Sequence, residues 1–535
     1  MAIERPTTSL VWSRDESAEH IGVAATSVPA AFDTARPCIQ LQAGELHRIA
    51  TEGESALIAM GAPLFVRGGI VRPIVDEMPA AHGRKTQVAR LTTVDASMLV
   101  DHLSRSASWL KFNTRKDNWV PTDPPLNVAT TILSRDGEWR LRKLAGLLTT
   151  PTLRPDGELL VEPGYDAETR LLLMDPPKLP AMSAKPTRQE AMAALDLLDR
   201  LLDDFPFVNK ASRSVALSAL ITPVVRGAMP VAPLHANTAP VAGSGKSFIV
   251  DLASAIVTGD RAPVIAAGRT EEETEKRLGS ALLAGLPIIS IDNVNGSLGG
   301  DALCQMIERP IISIRPLGVS KLIRIESRAT TFATGNNIQL VGDMTRRVVL
   351  CSLDPNMERP EMRVFSSNPL HAILANRGSY IAAALTVARA YIVAGRPGLQ
   401  PPLASFEEWS NIVRSALTWL DRADPVDTMV SARADDPILS TLSAVLHAWH
   451  ATIGQINVTA GGAKETGEKR QGGELAYSDL FHALTDAAPD RGGGINSKAL
   501  GRYLTRHKGR VVDGLKFVGT LDSHSKQNVW KVAAS

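Results

Sequence analysis

The segment APVAGSGKS (239–247) constrains this 535-residue chain more than any other. It stands between an extended run, VAPLHAN (231–237), and a helix-like run, FIVDLASAIV (248–257). A loop in that position can lay backbone N–H groups around phosphate oxygens only where side chains leave room. Gly243 and Gly245 meet that need, with Ser244 between them. Lys246 is placed to reach β- and γ-phosphates, and Ser247 to hold Mg²⁺. Pro240 stands where the pattern GxxxxGK[ST] has its first glycine, so the match is to the GSGKS core. The plain alternative is a Gly-Ser loop with a chance lysine.

A second element supports the first. LPIISIDNV (286–294) is an apolar run ending in Asp292, about 45 residues beyond Lys246. A buried strand that presents a carboxylate at its tip can order hydrated Mg²⁺, although strands ending in an Asp-Asn turn are common for structural reasons alone. Many proteins of this architecture carry Glu after that Asp to polarise water; here Asn293 follows, and an amide is no base, so either Asn293 only orients water or a carboxylate elsewhere serves. Glu273, in RTEEETEKRLGSALL (269–283), is the candidate base, against a solvated helix face with Glu272–Lys276 and Glu273–Arg277 pairs. ATTFATGNN (329–337) is a third strand with a polar tip, where Asn336 is the first candidate for touching a γ-phosphate and Asn337 the second. DMTRRVV (343–349) sets Arg346 and Arg347 before another strand. They form either a surface ion pair with a nearby Asp or, in a ring, an arginine that completes a neighbour's site.

Two basic segments flank this core. Between Asp292 and Asn336, ERPIISIRPLGVSKLIRIESR (308–328) reads as a hairpin carrying Arg315, Lys321 and Arg324, with no aromatic residue at its tip for stacking on bases. Toward the end, ELAYSDLFHALTDAA (474–488), a glycine-rich turn, NSKALGRYLTRHKG (496–509) and two extended runs outline a winged helix. Lys498, Arg502 and Arg506 recur every fourth residue, on one helical face that can meet phosphates or simply be solvated. His447 and His450 lack a third ligand type nearby and read as a helix-surface pair.

In this order, GSGKS, the ISIDN strand, the basic hairpin, ATGNN and MTRR resemble the AAA+ helicases of superfamily 3. They resemble more closely the helicase part of phage- and plasmid-type primase-helicases of mobile genetic elements. The likeness covers about residues 187–425; RPDGELLVEPGYD (154–166) looks like the segment before the ATPase in those proteins, and SFEEWSNIVRSALTWLDRADPV (405–426) like their helical lid. The resemblance implies an α/β fold, an AAA+ P-loop ATPase domain with a parallel sheet. It implies ATP and Mg²⁺ as cofactors, and a homo-oligomer, a hexameric ring, working as a DNA helicase on single-stranded or forked DNA. Lys321 would grip the strand in the channel, and Arg346 or Arg347 would act in trans. A primase or replication initiator is an expected partner. Rival readings are a non-translocating, ATP-switched replication initiator and an AAA+ ATPase with a regulatory or defence partner. No zinc-binding cysteine set or Asp-x-Asp pair marks a primase.

Domain expectations follow from composition and coarse periodicity, with the ATPase core and the lid being what the resemblance implies. They are a loose arm (1–35), a mixed α/β N-terminal domain (36–175), the ATPase core with leading helices (187–365), a helical lid region (366–455), a flexible linker (457–473) and the winged-helix-like tail (474–535). Trp109 and Trp119, with Lys111 and Arg115, read as a core with a basic rim. Cys38, Cys304 and Cys351 lie too far apart for a CxxC site. No signal peptide and no run of 18 apolar residues is found, so a cytoplasmic protein without membrane contact is expected. Net charge is +2, which by itself argues against a DNA partner. Its distribution does not: residues 491–535 hold nine Lys and Arg against two Asp, leaving the rest of the chain at −5.

Overall fold

The computed structural model describes residues 36–79, 85–268, 270–315, 322–363, 365–434, 436–523 and 526–535, so the arm expected at 1–35 lies outside the described residues. Apolar strands without polar alternation are covered on both faces, the pattern of a parallel sheet. Such a sheet forms the core. Its strands are β1 (Leu234–Ala239), β2 (Val264–Ala266), β3 (Ile288–Leu298), then, past a hairpin of β4 (Ile311–Ile314) and β5 (Ile323–Glu326), β6 (Thr330–Leu340) and β7 (Val348–Ser352). The order across the sheet is β2-β3-β6-β1-β7 and every neighbouring pair is parallel. The hairpin strands pair antiparallel outside the sheet.

Three helices connect these strands: α1 (Lys246–Thr258), α2 (Glu271–Ala284) and α3 (Asp301–Glu308). Ile249, Leu252, Ala253 and Ile256 of α1 have no exposed surface and share one core with Phe332 of β6. Helix α2 begins on Thr270, whose hydroxyl accepts from Glu273 N at 3.2 Å, and three glutamates fill its first turn, where the helix dipole favours them. The lid region joins the same core through Tyr391 and Trp409, both fully buried; the Trp409 indole N–H donates to Thr222 Oγ1 at 2.9 Å.

The chain divides into two compact units, and the expected N-terminal domain of 36–175 is split between them. The smaller comprises residues 36–62 with Ala96–Ser134. In it Cys38–Leu41 runs parallel to Ser108–Asn113, which pairs antiparallel with Asn118–Pro121. Trp109 is buried there and its indole donates to Leu103 O at 3.0 Å, while Trp119 sits edge-on to Phe112 at 5.5 Å. Residues 63–95 and 135–175 belong to the larger unit instead. The physical reason is polar as well as apolar. Arg67 Nη2 donates to Leu282 O at 2.9 Å, Thr152 Oγ1 to Val224 O at 2.7 Å, and Leu153 lies inside the core of the parallel-sheet unit.

The segment expected as a flexible linker is structured. Residues 457–473 carry β8 (Val458–Thr459) and, after α4 (Pro437–Thr452), the helix α5 (Ala460–Gly467). Thr459 caps α5 by accepting from Gly462 N at 3.0 Å, and Ala463 is fully buried. Gly467, at the end of α5, leaves room for Ile495 and Leu484 to pack against the helix, a Cβ there lying 3.3 Å from the Ile495 side chain. The tail continues with α6 (Ser478–Ala487), α7 (Ser497–Arg506), β9 (Leu515–Leu521) and β10 (Asn528–Ala534), in a sheet ordered β8-β10-β9. Helix α4, expected within the lid region, supplies Leu442, Val445, Leu446 and Trp449 to the tail's own core. Trp449 is fully buried and meets Phe517 edge-on at 5.4 Å. Trp449→Ala is expected to cost the tail about 3–5 kcal/mol, read as an earlier urea transition by tail-specific proteolysis with the unfolding of the parallel-sheet core unchanged. Among the described residues no helix is long and apolar enough to cross a membrane.

Candidate functional site

The loop after β1 turns on two glycines with left-handed backbones, Gly243 at φ +74 and Gly245 at φ +97. Gly245 caps α1, and a Cβ there would also lie 3.1 Å from the Phe205 ring, so a side chain is strained by conformation and crowded in space. Lys246 opens the helix, 9% exposed, with Nζ donating to Val241 O at 2.7 Å. Burial lowers its pKa while Asp292 acts in the opposite direction. Asn237, buried in β1, donates to Lys246 O at 3.1 Å and ties the strand to the start of the helix. The hydroxyl of Ser244 turns back to Val241 O at 2.7 Å and lines the loop from inside.

Asp292 reaches this loop because β3 bulges. Ile291 pairs with Ala333 and Val294 with Gly335, so Asp292 and Asn293 together face Thr334 alone. Asn293 absorbs the extra residue at φ +57, and bulges of this kind re-aim side chains. The Asp292 carboxylate then accepts from Ser247 Oγ at 3.2 Å and, on the same oxygen, from the Thr334 hydroxyl. Gly335 makes the approach feasible: a Cβ there would overlap the Val294 carbonyl oxygen. A serine hydroxyl beside a carboxylate, at the N-terminus of a helix, is an oxygen donor set that fits Mg²⁺ with a nucleotide. Held by Ser247 and Asp292, such an ion would supply positive charge to neutralise phosphate oxygens.

The other candidates are distributed around this centre. Asn336 is half-buried, opposite Ala239 in β1 and Asn295 in β3, at the same carboxyl edge of the sheet; Asn337 and Asn293 are exposed. Glu273 is paired with Arg277, which donates to Ala266 O at 2.6 Å, and Ala266 stands opposite Asp292 in the sheet. Glu273 is therefore near the edge but engaged. Arg347 is 6% exposed and bound to Glu308 and Asp343, whereas Arg346, on the same carboxylates, is 43% exposed. These two arginines are held within their own chain.

On the hairpin, Arg315 and Arg324 are exposed, and Lys321 lies outside the described residues. In the tail, Lys498, Arg502 and Arg506 are exposed along α7 and border an open groove of about 920 Å³, with the start of α5 and Asn528 of β10 on its other sides. Sequence reasoning missed Thr334 and Gly335, which lie inside ATGNN, because its attention went to the asparagines. It also missed Glu308, which reads as the first residue of a hairpin segment and carries no motif.

No family model and no curated protein matches the chain. Among solved structures it is similar to the NrS-1 C-terminal region in its A-form apo state. Two such structures, at 10% and 12% identity and TM-scores of 0.36 and 0.37, each align 86% of this chain with 96% of the other. It is also similar to JCV helicase bound to a thiazolopyridine-bearing acetamide, at 12% identity and a TM-score of 0.21, over 47% of this chain and 74% of that one. Fold and site together define a mixed α/β protein on a five-stranded parallel sheet, with a phosphate-type loop at the carboxyl edge. At these scores the functional reading stands on the site geometry.

Proposed function

We propose that this chain is an ATP-dependent, oligomeric DNA helicase that moves along single-stranded DNA during replication of a phage, plasmid or integrative element. One observation carries the reading: Ser247, Asp292 and Thr334, from three separate segments, meet at the mouth of a glycine loop. In this reading Lys246 and the loop amides bind phosphates, Ser247 and Asp292 hold Mg²⁺, and Thr334 orients Asp292. Asn336 faces the γ-phosphate. Glu273 serves as base once it leaves Arg277. Arg346, the more exposed arginine, completes the site of the adjoining subunit. The hairpin rises from the chain between Asp292 and Asn336, so a strand held by Arg315, Lys321 and Arg324 is one connection away from the nucleotide. The basic face of α7 is the second DNA contact.

The test is ATP turnover with and without single-stranded DNA, run beside strand displacement on a forked substrate. A stimulation of about tenfold with displacement is expected; DNA-independent turnover with no displacement would overturn the reading in favour of an ATP-switched initiator. The role of Arg346 in trans has its own measurement. Lys246→Ala and Arg346→Ala proteins are each expected to be nearly inactive, and mixing them to restore turnover at interfaces that pair an intact loop with an intact arginine. A mixture as inactive as its parts excludes the trans assignment.

A further inference from the structure

Glu308 is the last residue of α3, and the hairpin strand β4 begins at Ile311. Its carboxylate gathers partners from two other parts of the chain. Arg346 Nη1 donates to Oε1 at 3.2 Å and Arg347 Nε to Oε2 at 3.0 Å, both arginines coming from the turn between β6 and β7. The Ser405 hydroxyl, at the start of the lid-like helices, donates to Oε1. Ser405 is held at φ +71, a conformation serine seldom adopts. Burial acts to raise the pKa of this carboxyl, but the donors Ser405, Arg347 and Arg346 hold it at about 2. The group is thus a permanently charged acceptor under ordinary conditions.

The two arginines differ in freedom. Arg347 is buried and also bound to Asp343, so it is the fixed anchor. Arg346 is half-exposed and shares Asp343, its Nε donating to Oδ1 at 2.8 Å. With Arg346 at home, two arginines face two carboxylates. When it leaves, Arg347 alone stands between Glu308 and Asp343. The connection from Glu308 to the hairpin is short and stiff: only Arg309 and Pro310 intervene, and Pro310 O accepts from Ser327 N at 3.1 Å, joining both roots of the hairpin. The arginine turn is also tied to the tail, since Gly342 N donates to Asp436 Oδ2 at 3.2 Å while Asp436 Oδ1 caps α4.

We propose that Glu308 is a positioning residue that links Arg346 to the root of the hairpin, so that DNA on the hairpin sets how readily Arg346 leaves for the phosphates of the adjoining subunit. The proposal rests on the reading of Arg346 as the residue that acts in trans. A displaced hairpin root moves the carboxylate, and with it the strength of the hold on Arg346. Glu308 itself touches no substrate; it acts through the arginine.

The experiment uses the full-length chain, ATP and a thymidine homo-oligonucleotide as the DNA. Glu308→Gln keeps the shape and removes the charge. It is expected to cut the DNA stimulation of kcat about fivefold or more, with KM for ATP and Kd for the oligonucleotide within about twofold of wild type. Glu308→Asp is expected to recover part of the stimulation. Wild-type stimulation in Glu308→Gln overturns the proposal, and so does a loss that tracks a lowered melting temperature and is not recovered by Glu308→Asp. If Glu308→Gln fails to fold, Ser405→Ala removes a neutral donor to the same carboxylate and is expected to reduce the stimulation about two- to threefold; unchanged stimulation there overturns the link. Failure of the Lys246→Ala and Arg346→Ala mixture strikes the underlying reading of Arg346 instead, whatever Glu308 does.

Discussion

Lys246→Ala is expected to lower kcat for ATP hydrolysis by about 10²- to 10³-fold and to abolish strand displacement, with a melting temperature at or slightly above that of wild type. The two halves of this expectation have one cause. Lys246 is an ammonium group that is nearly buried and, among the described residues, is held by one carbonyl, Val241 O, at 2.7 Å. Desolvation is the largest influence on its pKa and pushes it down, and Asp292 only partly opposes this. A cation kept in such a place without a close carboxylate partner stabilises the empty fold little, and its removal relieves a desolvation cost. The same lack of a committed partner leaves the charge available for a triphosphate. Turnover measured by phosphate release and melting followed by circular dichroism check both halves. A variant that melts many degrees lower and loses turnover in proportion would make Lys246 a structural residue.

How much of this was legible in the sequence depends on distance along the chain. The glycine loop is local: GSGKS carries its own conformational demand, and the strand and helix beside it follow from contiguous apolar residues. Asp292 was also readable, as a carboxylate ending an apolar run. What brings it to Ser247 was not readable, because the bulge at Asp292–Asn293 arises from pairing with Thr334 and Gly335, about 40 residues on. The arginine turn shows the same limit. DMTRR displays two arginines, but only the fold brings Glu308 to them and buries one of the two. At the domain level, the glycines of residues 457–473 suggest flexibility, whereas Thr459 caps a helix whose Ala463 fills the tail core. Residues 63–95 leave the N-terminal unit because Arg67 finds its carbonyl partners elsewhere, at Ala145 and Leu282, which no local pattern encodes.

Gly335→Ala is expected to destabilise the sheet by about 1–3 kcal/mol and to reduce ATP turnover about 100-fold or more. The obstacle is space. The added Cβ would overlap the Val294 carbonyl oxygen and approach Ile338 Cγ1 to 2.9 Å, so β6 must draw away from β3 where the bulge aims Asp292. Both Val294 and Ile338 are buried, which leaves the pair little room to relax. Separation there parts the Thr334 hydroxyl from the Asp292 carboxylate and carries Asp292 away from Ser247. Thr334→Val separates the two consequences, since it keeps the volume and removes only the hydroxyl. It is expected to leave the sheet close to wild-type stability and to lower turnover about tenfold, because Asp292 then loses its second donor. Urea titrations and turnover of the two variants, measured side by side, decide the matter. Wild-type turnover in Gly335→Ala would show that the β3–β6 approach is not what aims Asp292. Full activity in Thr334→Val with loss in Gly335→Ala would assign the aiming to the bulge alone, with no part for the hydroxyl.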